Sequence, residues 1–591
     1  MPTQLYSSQR CLFKAYDIRG ERALFTDNFV RDLTLVFTEQ LLKESPSTIV
    51  VGHDVRDGSQ AIAQQFFQTL QAAGIASVWL GMVTTPIMAF WAHQYDGYGI
   101  IATASHSPVN INGIKWLWNG ESPSSDDIMA LYQALLQQAN SAAVATLTNP
   151  VPPYSDTAEP NTLKSDGLES DTSCRADLLF PCTLNTATIA DTYFTGMATA
   201  LRYIQQTQQS ASPQPPIQHT RFKVVIDCLN GATSAFAHGL FAQFSELCSD
   251  VIVLNDTPDG TFPKGNPDPT ESGRLQELQQ AVINHKAAIG FGFDGDGDRL
   301  MVVDDQGHIV APDHLLYLLA QIAIIERDPK STQYSATPAS SANADSNLYH
   351  KSDPSSDSRP AVLFDVKCSH HLPMLIDQIG GQPKMSKTGS SIMRKTLQAG
   401  DNQVIFAGEL SGHFLFNDGY FVLHDDAMYA GVRLLNWLSR QPLSLGAIVA
   451  RLPSMVNTPD VYLPLPRVEY TGTQQQSVLQ KLSGLCHQLI SCCPNDFNLL
   501  LANQGQSATL TDANSMGLPS NTRLTCIDGI RLDFATGFGV IRPSNTSHSI
   551  TVRFAGNTMA DLHAIQQRFV ALCQHIDGGL ADEIAKIRPS G

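Results

Sequence analysis

No apolar run in the 591-residue chain reaches the roughly 18–20 residues of a membrane span, so no membrane partner is expected. The first residues, Met-Pro-Thr-Gln-Leu-Tyr-Ser-Ser, lack a basic segment followed by an apolar stretch, which argues against a secretory leader and for a cytoplasmic protein. A repeated Cys-x-x-Cys pair is missing too. The 11 cysteines are scattered and odd in number, and adjacent Cys492 and Cys493 do not suit a zinc knuckle. Free thiols in a reducing compartment are the simplest reading. Positive charge is scarce: 38 Lys and Arg stand against 55 Asp and Glu, a formal net charge of −17. That disfavours binding along a nucleic-acid backbone. It also means that an anionic ligand must be held by a local basic pocket that overcomes the overall field.

Hydrophobic residues make up 43% of the chain, enough for full cores in roughly three to five domains. Strand-like and helix-like stretches alternate from the start. Thr48–Gly52, Ser77–Leu80 and Gly99–Thr103 read as strands, and Ser59–Ala73 as a helix that stops at Gly74. Such alternation indicates an α/β class with a parallel sheet, in which ligands bind beyond the carboxyl ends of strands. The pattern recurs at Phe222–Asp227, Ala287–Phe293 and Ala361–Val366, which suggests repeated units without a strong sequence repeat. The last part differs: Asp528–Phe534, Gly539–Ile541 and Ser549–Phe554 suggest an antiparallel sheet with helices before and after. Four stretches, Ala139–Thr183, Gln205–His219, Lys330–Asp357 and Gln504–Thr522, are poor in apolar pattern. They read as flexible insertions or linkers that cannot bury enough apolar area to offset ordering entropy.

Two segments carry most of the chemistry. Thr103-Ala-Ser-His-Ser-Pro108 offers a hydroxyl nucleophile, Ser105, just past a strand end, with His106 beside it and Lys115 downstream. Asp294-Gly-Asp-Gly-Asp-Arg299 offers carboxylates at alternate positions, which share a face if the segment is extended and suit a hard divalent cation. An EF-hand loop also opens Asp-x-Asp-x-Asp, but Arg299 stands where that loop needs glycine and the flanks are strand-like. A phosphorylated serine needs a counter-cation and fixed positive charge, so together the segments suggest phosphoryl transfer through Ser105. Glu409 with nearby Ser411 can hydrogen-bond two adjacent sugar hydroxyls. Arg542, Ser544, Asn545, Thr546 and Ser547 can grip a phosphate, arginine supplying the planar fork. Cys368-Ser-His370-His371 has poor spacing for zinc.

These segments, with Lys14-Ala-Tyr-Asp-Ile-Arg-Gly20, Gly408-Glu-Leu-Ser-Gly-His413 and Arg542-Pro-Ser-Asn-Thr-Ser547, follow one another in an order that resembles the α-D-phosphohexomutases, most closely their bacterial phosphomannomutase/phosphoglucomutase branch. The resemblance implies three related α/β domains with mixed sheets plus a C-terminal α+β domain around a central cleft. Boundaries are expected at 1–192, 193–309, 310–453 and 454–591. It implies reversible phosphoryl transfer between C1 and C6 of hexose phosphates, through phosphoserine and a 1,6-bisphosphate intermediate. Mg²⁺ would be held by Ser105, Asp294, Asp296 and Asp298, and hexose 1,6-bisphosphate would act as activator. Arg19, Lys115 and Arg299 are expected around the transferred phosphoryl. Tyr16, His106, Lys367, Glu409, Ser411, His413, Arg542, Ser544, Asn545 and Thr546 are expected on substrate. A monomer acting on mannose and glucose phosphates is implied, with a phosphoglucosamine mutase or a catalytically silent phosphosugar-binding protein as alternatives. Two departures stand out: Ser107 where asparagine is common, and Ser390 where histidine is common, so Ser390 is not counted as catalytic.

Overall fold

The computed structural model describes residues 6–146, 182–211, 220–327, 359–399, 403–465, 477–493, 507–511, 513–544 and 549–589. They fall into two compact units, Met1–Tyr193 with Asp259–Asn266, and Phe194–Pro258 with Pro267–Gly591. The first unit thus takes in Asp259–Asn266 from later in the chain. No helix among the described residues is long and apolar enough to cross a membrane.

The first unit holds β1 (Ile18–Glu21), β2 (Ile49–His53), β3 (Ser77–Met82), β4 (Tyr98–Ala102), β5 (Ile111–Leu117) and β6 (Cys182–Thr183), in the order β1-β5-β4-β2-β3-β6. Strands β3, β2 and β4 run parallel because helices Ser59–Ala72 and Thr85–His93 provide the crossovers. Helix Ser59–Ala72 buries Ile62, Ala63, Phe66 and Leu70, the spacing of one helical face, against this sheet. A short link from β4 leaves no room for a crossover, so β5 returns antiparallel and the sheet is mixed rather than purely parallel.

In the second unit, β7 (Phe222–Asp227), β8 (Cys248–Leu254), β9 (Ile289–Phe293) and β10 (Leu300–Asp304) form one sheet. Another contains β11 (Ala361–Asp365), β12 (Gln382–Ser386), β13 (Val404–Gly408) and β14 (Phe414–Phe416). The plan of β2–β5 recurs in both. A first strand is flanked by two parallel partners, and the second partner turns by a hairpin into an antiparallel strand. The first strand always ends in the same device. A buried aspartate accepts the N–H two residues on: Asp54 from Arg56 at 2.9 Å, Asp227 from Leu229 at 3.0 Å and Asp365 from Lys367 at 3.0 Å. Strand β9 shows how such a sheet is packed. Gly290 and Gly292 lie under Leu278, Val282 and Leu275, where an added Cβ would meet side chains at 2.7 Å. Phe291 and Phe293 alternate with them and pack near Phe241.

The C-terminal sheet comprises β15 (Val456–Asn457), β16 (Val461–Pro464), β17 (Ala508–Thr509), β18 (Arg523–Thr525), β19 (Ile530–Phe534), β20 (Gly537–Pro543) and β21 (Ser549–Gly556), antiparallel throughout. Helix Met559–Gln574 packs on β20 and β21, with Phe569 against Phe554 at 5.2 Å. Stretches read as linkers are partly structured. Within Gln504–Thr522, β17 pairs with β18, and Leu510, Ala513 and Leu518 are buried in this core, because its few apolar residues all point inward. Helix Ser125–Thr146 enters the stretch from Ala139, and helix Thr186–Ala211 the stretch from Gln205. The stretch ending at Thr183 contributes β6, paired with Val78 and Trp79. Of the rest of these stretches, 147–181, 212–219, 504–506, 512 and all of Lys330–Asp357 lie outside the described residues.

Buried Arg531 of β19 donates to the carbonyls of Val366 (2.7 Å) and Cys368 (2.6 Å) and lies 4.1 Å from the Phe538 ring centre. His370 sits beside Phe538 and against His371, with ring centres 6.3 and 4.0 Å away. Burial first, then the His371 neighbour, pushes the His370 imidazole down to about 4. Above pH ~6.5 this costs nothing, because the unfolded imidazole is neutral as well. Between pH ~6.5 and ~4 only the unfolded chain takes up the proton, so stability falls as pH falls. Unfolding followed by denaturant at pH 7 and pH 5 should show the parent losing on the order of 2 kcal/mol more than His370→Asn. Equal losses would contradict the neutral, buried assignment.

Candidate functional site

The serine loop of the first unit links β4 to β5. Ser105 is buried and adopts the left-handed region at φ 52°, a conformation that costs a non-glycine residue on the order of 1–3 kcal/mol and needs its surroundings to hold it. Those surroundings come from the end of β2. The Arg56 guanidinium, with no exposed side-chain surface, donates to the carbonyls of Ser105 (2.6 Å), Ser107 (2.5 Å), Pro108 (2.7 Å) and Ile111 (3.1 Å). Asp54 pairs with Arg56 at 3.3 Å and accepts the Ala104 N–H, while the Phe262 ring backs the guanidinium at 4.8 Å. Ser105 Oγ meets His106 Nδ1 at 3.1 Å. Arg19, held by Asp17 at 2.5 Å, reaches Ser107 Oγ at 3.3 Å. Gly113, opposite Arg19 in the ladder, makes this approach possible, since a Cβ there would lie 2.6 Å from the Thr103 carbonyl. Lys115 on β5 and Tyr16 just before Asp17 are partly exposed.

The equivalent hairpin of the second sheet is the aspartate loop. Asp294, Asp296 and Asp298 are all buried, with one carboxylate oxygen from each within 4.8 Å of the others. The loop curls around Asp294, whose Oδ1 accepts the N–H groups of Asp298 (3.0 Å) and Arg299 (3.1 Å). The turn that follows β7 braces it: the Ala232 N–H donates to the Gly295 carbonyl at 2.9 Å. Arg299 pairs with Asp268 at 3.4 Å.

The third hairpin carries Glu409, Ser411 and His413, and its backbone is bonded to the second through Leu300 N–H and the Gly412 carbonyl at 2.9 Å. His413 bridges the two loops, with Nε2 3.3 Å from Asp298 and Nδ1 3.1 Å from Glu409. Burial alone would lower its imidazole, but Asp298 and Glu409 push it up to about 10. Glu409 is 2% exposed; burial would raise its carboxyl, yet His413, the Gly389 N–H and Lys367 together hold it below the ordinary value. One of its oxygens accepts from Gly389 at 2.5 Å, just ahead of Ser390, which opens helix Ser390–Gln398. The other faces Ser411 Oγ at 3.3 Å. Asp425, paired with Arg394 and His424, lies 4.0 Å from His413 Nε2.

Two further expected substrate contacts, Lys367 and Arg542, come from other segments. Lys367 is buried between Asp460 at 2.5 Å and Asp365 at 3.8 Å; burial opposes its charge, but these carboxylates raise its pKa above the ordinary lysine value. Arg542 on β20 is buried and donates through Nε to Asp528 at 2.7 Å. Its Nη2 has no hydrogen-bond partner among the described residues. Ser544 follows β20 directly, its N–H bonded to the Ser549 carbonyl at 2.9 Å. Asn545, Thr546 and Ser547 lie outside the described residues.

Residues 10–141 match the model of phosphoglucomutase/phosphomannomutase alpha/beta/alpha domain I, residues 201–307 that of domain II and residues 311–456 that of domain III. The chain belongs to the phosphoglucomutase/phosphomannomutase family. It is 28% identical over 563 residues to a phosphomannomutase/phosphoglucomutase of Pseudomonas syringae pv. tomato, covering 95% of this chain and 94% of that one. A phosphoglucomutase of Neisseria gonorrhoeae is 27% identical over 570 residues, covering 96% and 98%. A solved phosphoglucomutase/phosphomannomutase family structure from Burkholderia thailandensis matches with TM-score 0.65 at 25% identity, over 99% of this chain and 100% of that one.

In this member of the phosphoglucomutase/phosphomannomutase family, the donor set of the aspartate loop fits a hard divalent cation. It presents three buried carboxylates with converging oxygens and no thiolate. Asp298, His413 and Asp425 also converge within 4.8 Å, but the loop set is oxygen throughout, the donor type a hard cation takes, so it is the better fit. Sequence reasoning missed Asp54, Arg56, Asp425 and Asp528. The only available signal was the recurrence of Asp-x-Arg at 54–56 and Asp-x-Lys at 365–367 after buried strands.

Arg56→Lys tests the clamp, because an ammonium cannot serve four carbonyls spread around a planar fork. The variant should fold, and amide hydrogen exchange at residues 103–110 should speed up at least about tenfold, the equivalent of one or two lost hydrogen bonds. Unchanged protection of that loop would show that Arg56 does not hold it.

Proposed function

We propose that the chain is a phosphohexomutase acting on mannose and glucose phosphates. The observation that carries the reading is topological: a clamped serine, a cluster of buried carboxylates and a Glu-x-Ser-x-His loop occupy the same hairpin in three copies of one fold. In the proposed reaction, the free hydroxyl of a hexose 1- or 6-phosphate attacks the phosphorus of phospho-Ser105. The P–Oγ bond breaks, and the hydroxyl proton passes to a nearby base. The bisphosphate so formed turns end for end, and its other phosphoryl returns to Ser105. Hexose 1,6-bisphosphate would prime the serine by the same step. Arg19, Lys115 and Arg299 supply positive charge around the moving phosphoryl, with Tyr16 and His106 beside it. Mg²⁺ held by Asp294, Asp296, Asp298 and a phosphoserine oxygen of Ser105 would screen the charge on that phosphate. Glu409, Ser411 and His413 are assigned to the sugar, and Lys367 to positioning near it.

Arg542 is assigned to the phosphate that is not reacting, with Ser544, Asn545 and Thr546. Its Nη2 is a buried donor with no partner among the described residues, and Asp528 fixes the fork by its other edge. One grip can then serve both orientations of the sugar. A cytoplasmic, monomeric enzyme is part of the same reading.

Turnover of mannose 1-phosphate, glucose 1-phosphate and glucosamine 1-phosphate in a coupled assay tests the proposal. Turnover of the first two should stop on chelation and return with Mg²⁺. Preference for glucosamine 1-phosphate would favour a phosphoglucosamine mutase, and no turnover of any substrate would favour a silent phosphosugar-binding protein.

Arg542→Ala should raise KM, lower kcat/KM by an amount in the range of 2–5 kcal/mol, and release hexose 1,6-bisphosphate into solution. Parent-like kinetics without leakage would remove Arg542 from the site.

A further inference from the structure

Several described cysteines sit in the protein interior or against backbone carbonyls. Cys228, Cys248, Cys368 and Cys573 are buried, and Cys492 and Cys493 direct their sulfurs at the helical carbonyls of Gln488 and Leu489. Cys486 and Cys526 differ. Cys486 lies on helix Val478–Ser491 and Cys526 follows β18 directly, yet their sulfurs are 2.8 Å apart, closer than two unbonded sulfur atoms ordinarily rest. Both are partly exposed, so a small oxidant can reach them. Cys526 begins the turn that joins β18 to β19, and the same turn carries Asp528. Asp528 accepts from Arg542 Nε at 2.7 Å and from the Thr388 N–H at 3.3 Å. The turn also lies directly on the Arg542 backbone: Gly529, at φ 94°, has no room for a Cβ, which would sit 2.4 Å from the Ile541 carbonyl. A change in the position of Cys526 is therefore passed to Asp528 and Arg542 through a turn with little slack.

We propose that Cys486 and Cys526 form a reversible thiol/disulfide pair, closed by mild peroxide, that ties the β18–β19 turn to helix Val478–Ser491 and weakens the Arg542 phosphate grip. The effect on the grip rests on the phosphohexomutase reading; the pair itself does not. Both sulfurs are partly exposed and face each other, so oxidation of either one brings the partner into reach. One thiol reacts with hydrogen peroxide to give a sulfenic acid and one water. The other thiol then displaces the sulfenic hydroxyl as a second water, and the S–S bond forms. Two electrons and two protons leave the thiols, and the peroxide accepts them. A dithiol reductant reverses the reaction.

The test uses the full chain, reduced and then treated with about one equivalent of hydrogen peroxide. A non-reducing peptide map by mass spectrometry should show the Cys486–Cys526 cross-link ahead of oxidation elsewhere, and dithiothreitol should remove it. KM for glucose 1-phosphate should rise at least threefold on oxidation with kcat little changed, and Cys526→Ser should not respond. Oxidation at other cysteines without this cross-link would overturn the pair. A cross-link that leaves KM unchanged would overturn its coupling to Arg542. Absence of turnover in the reduced chain would count against the mutase reading, while the peptide map would still decide the pair.

Discussion

One guanidinium holds the serine loop together. Arg56 binds four backbone carbonyls between Ser105 and Ile111, and Asp54 balances its charge while taking the Ala104 N–H. The left-handed Ser105 is held on both sides: its carbonyl accepts from Arg56, its N–H donates to Thr103 Oγ1, and the preceding Ala104 N–H donates to Asp54. Without the tie, a loop of small residues would relax toward ordinary turn geometry, and the Ser105 hydroxyl would lose its fixed direction. In the proposed reaction positioning matters more than bond-making chemistry, since phosphoryl transfer leaves a protein little to do except place charges and reactants.

The same architecture solves a different problem in the second unit. Crowding Asp294, Asp296 and Asp298 into a buried turn is electrostatically costly. The fold offsets part of that cost with backbone donors to Asp294, with Arg299 at the end of the loop, and with His413 lent by the neighbouring hairpin. His413 also fixes Glu409, so the acidic loop and the Glu-x-Ser-x-His loop are electrostatically a single object. Asp425, held well below the ordinary carboxylate range by Arg394 and His424 against the effect of burial, closes the cluster.

Much of this was legible in the residues, for reasons that can be named. The strands that could be read, such as Thr48–Gly52, Gly99–Thr103 and Ala361–Val366, are short, mostly apolar runs, whereas β1 (Ile18–Glu21) and β12 (Gln382–Ser386) carry charged and polar residues and gave no such signal. The Ser105, Asp294–Asp298 and Glu409–His413 segments were readable because their side-chain types define a chemistry before any fold is known. Arg56 was not readable, since a single arginine after a strand looks like any surface charge, and its four partners are carbonyls that leave no mark in the sequence. Nor was the pairing of Lys367 with Asp460, 93 positions away. The packing of Leu510, Ala513 and Leu518 escaped notice for a different reason: a few apolar residues in a polar stretch suffice when a formed sheet receives them.

The central claim is that Ser105 is the residue that carries the phosphoryl group. Phosphopeptide mass spectrometry on the full chain, after incubation with glucose 1,6-bisphosphate and Mg²⁺, tests it most directly. The account predicts phosphate on Ser105, an isotopic label in that phosphate that passes to the sugar phosphate during turnover of excess unlabelled glucose 1-phosphate, and no labelling in Ser105→Ala. Phosphate on another residue, or an unlabelled Ser105 in a chain that still turns over hexose phosphates, would contradict it.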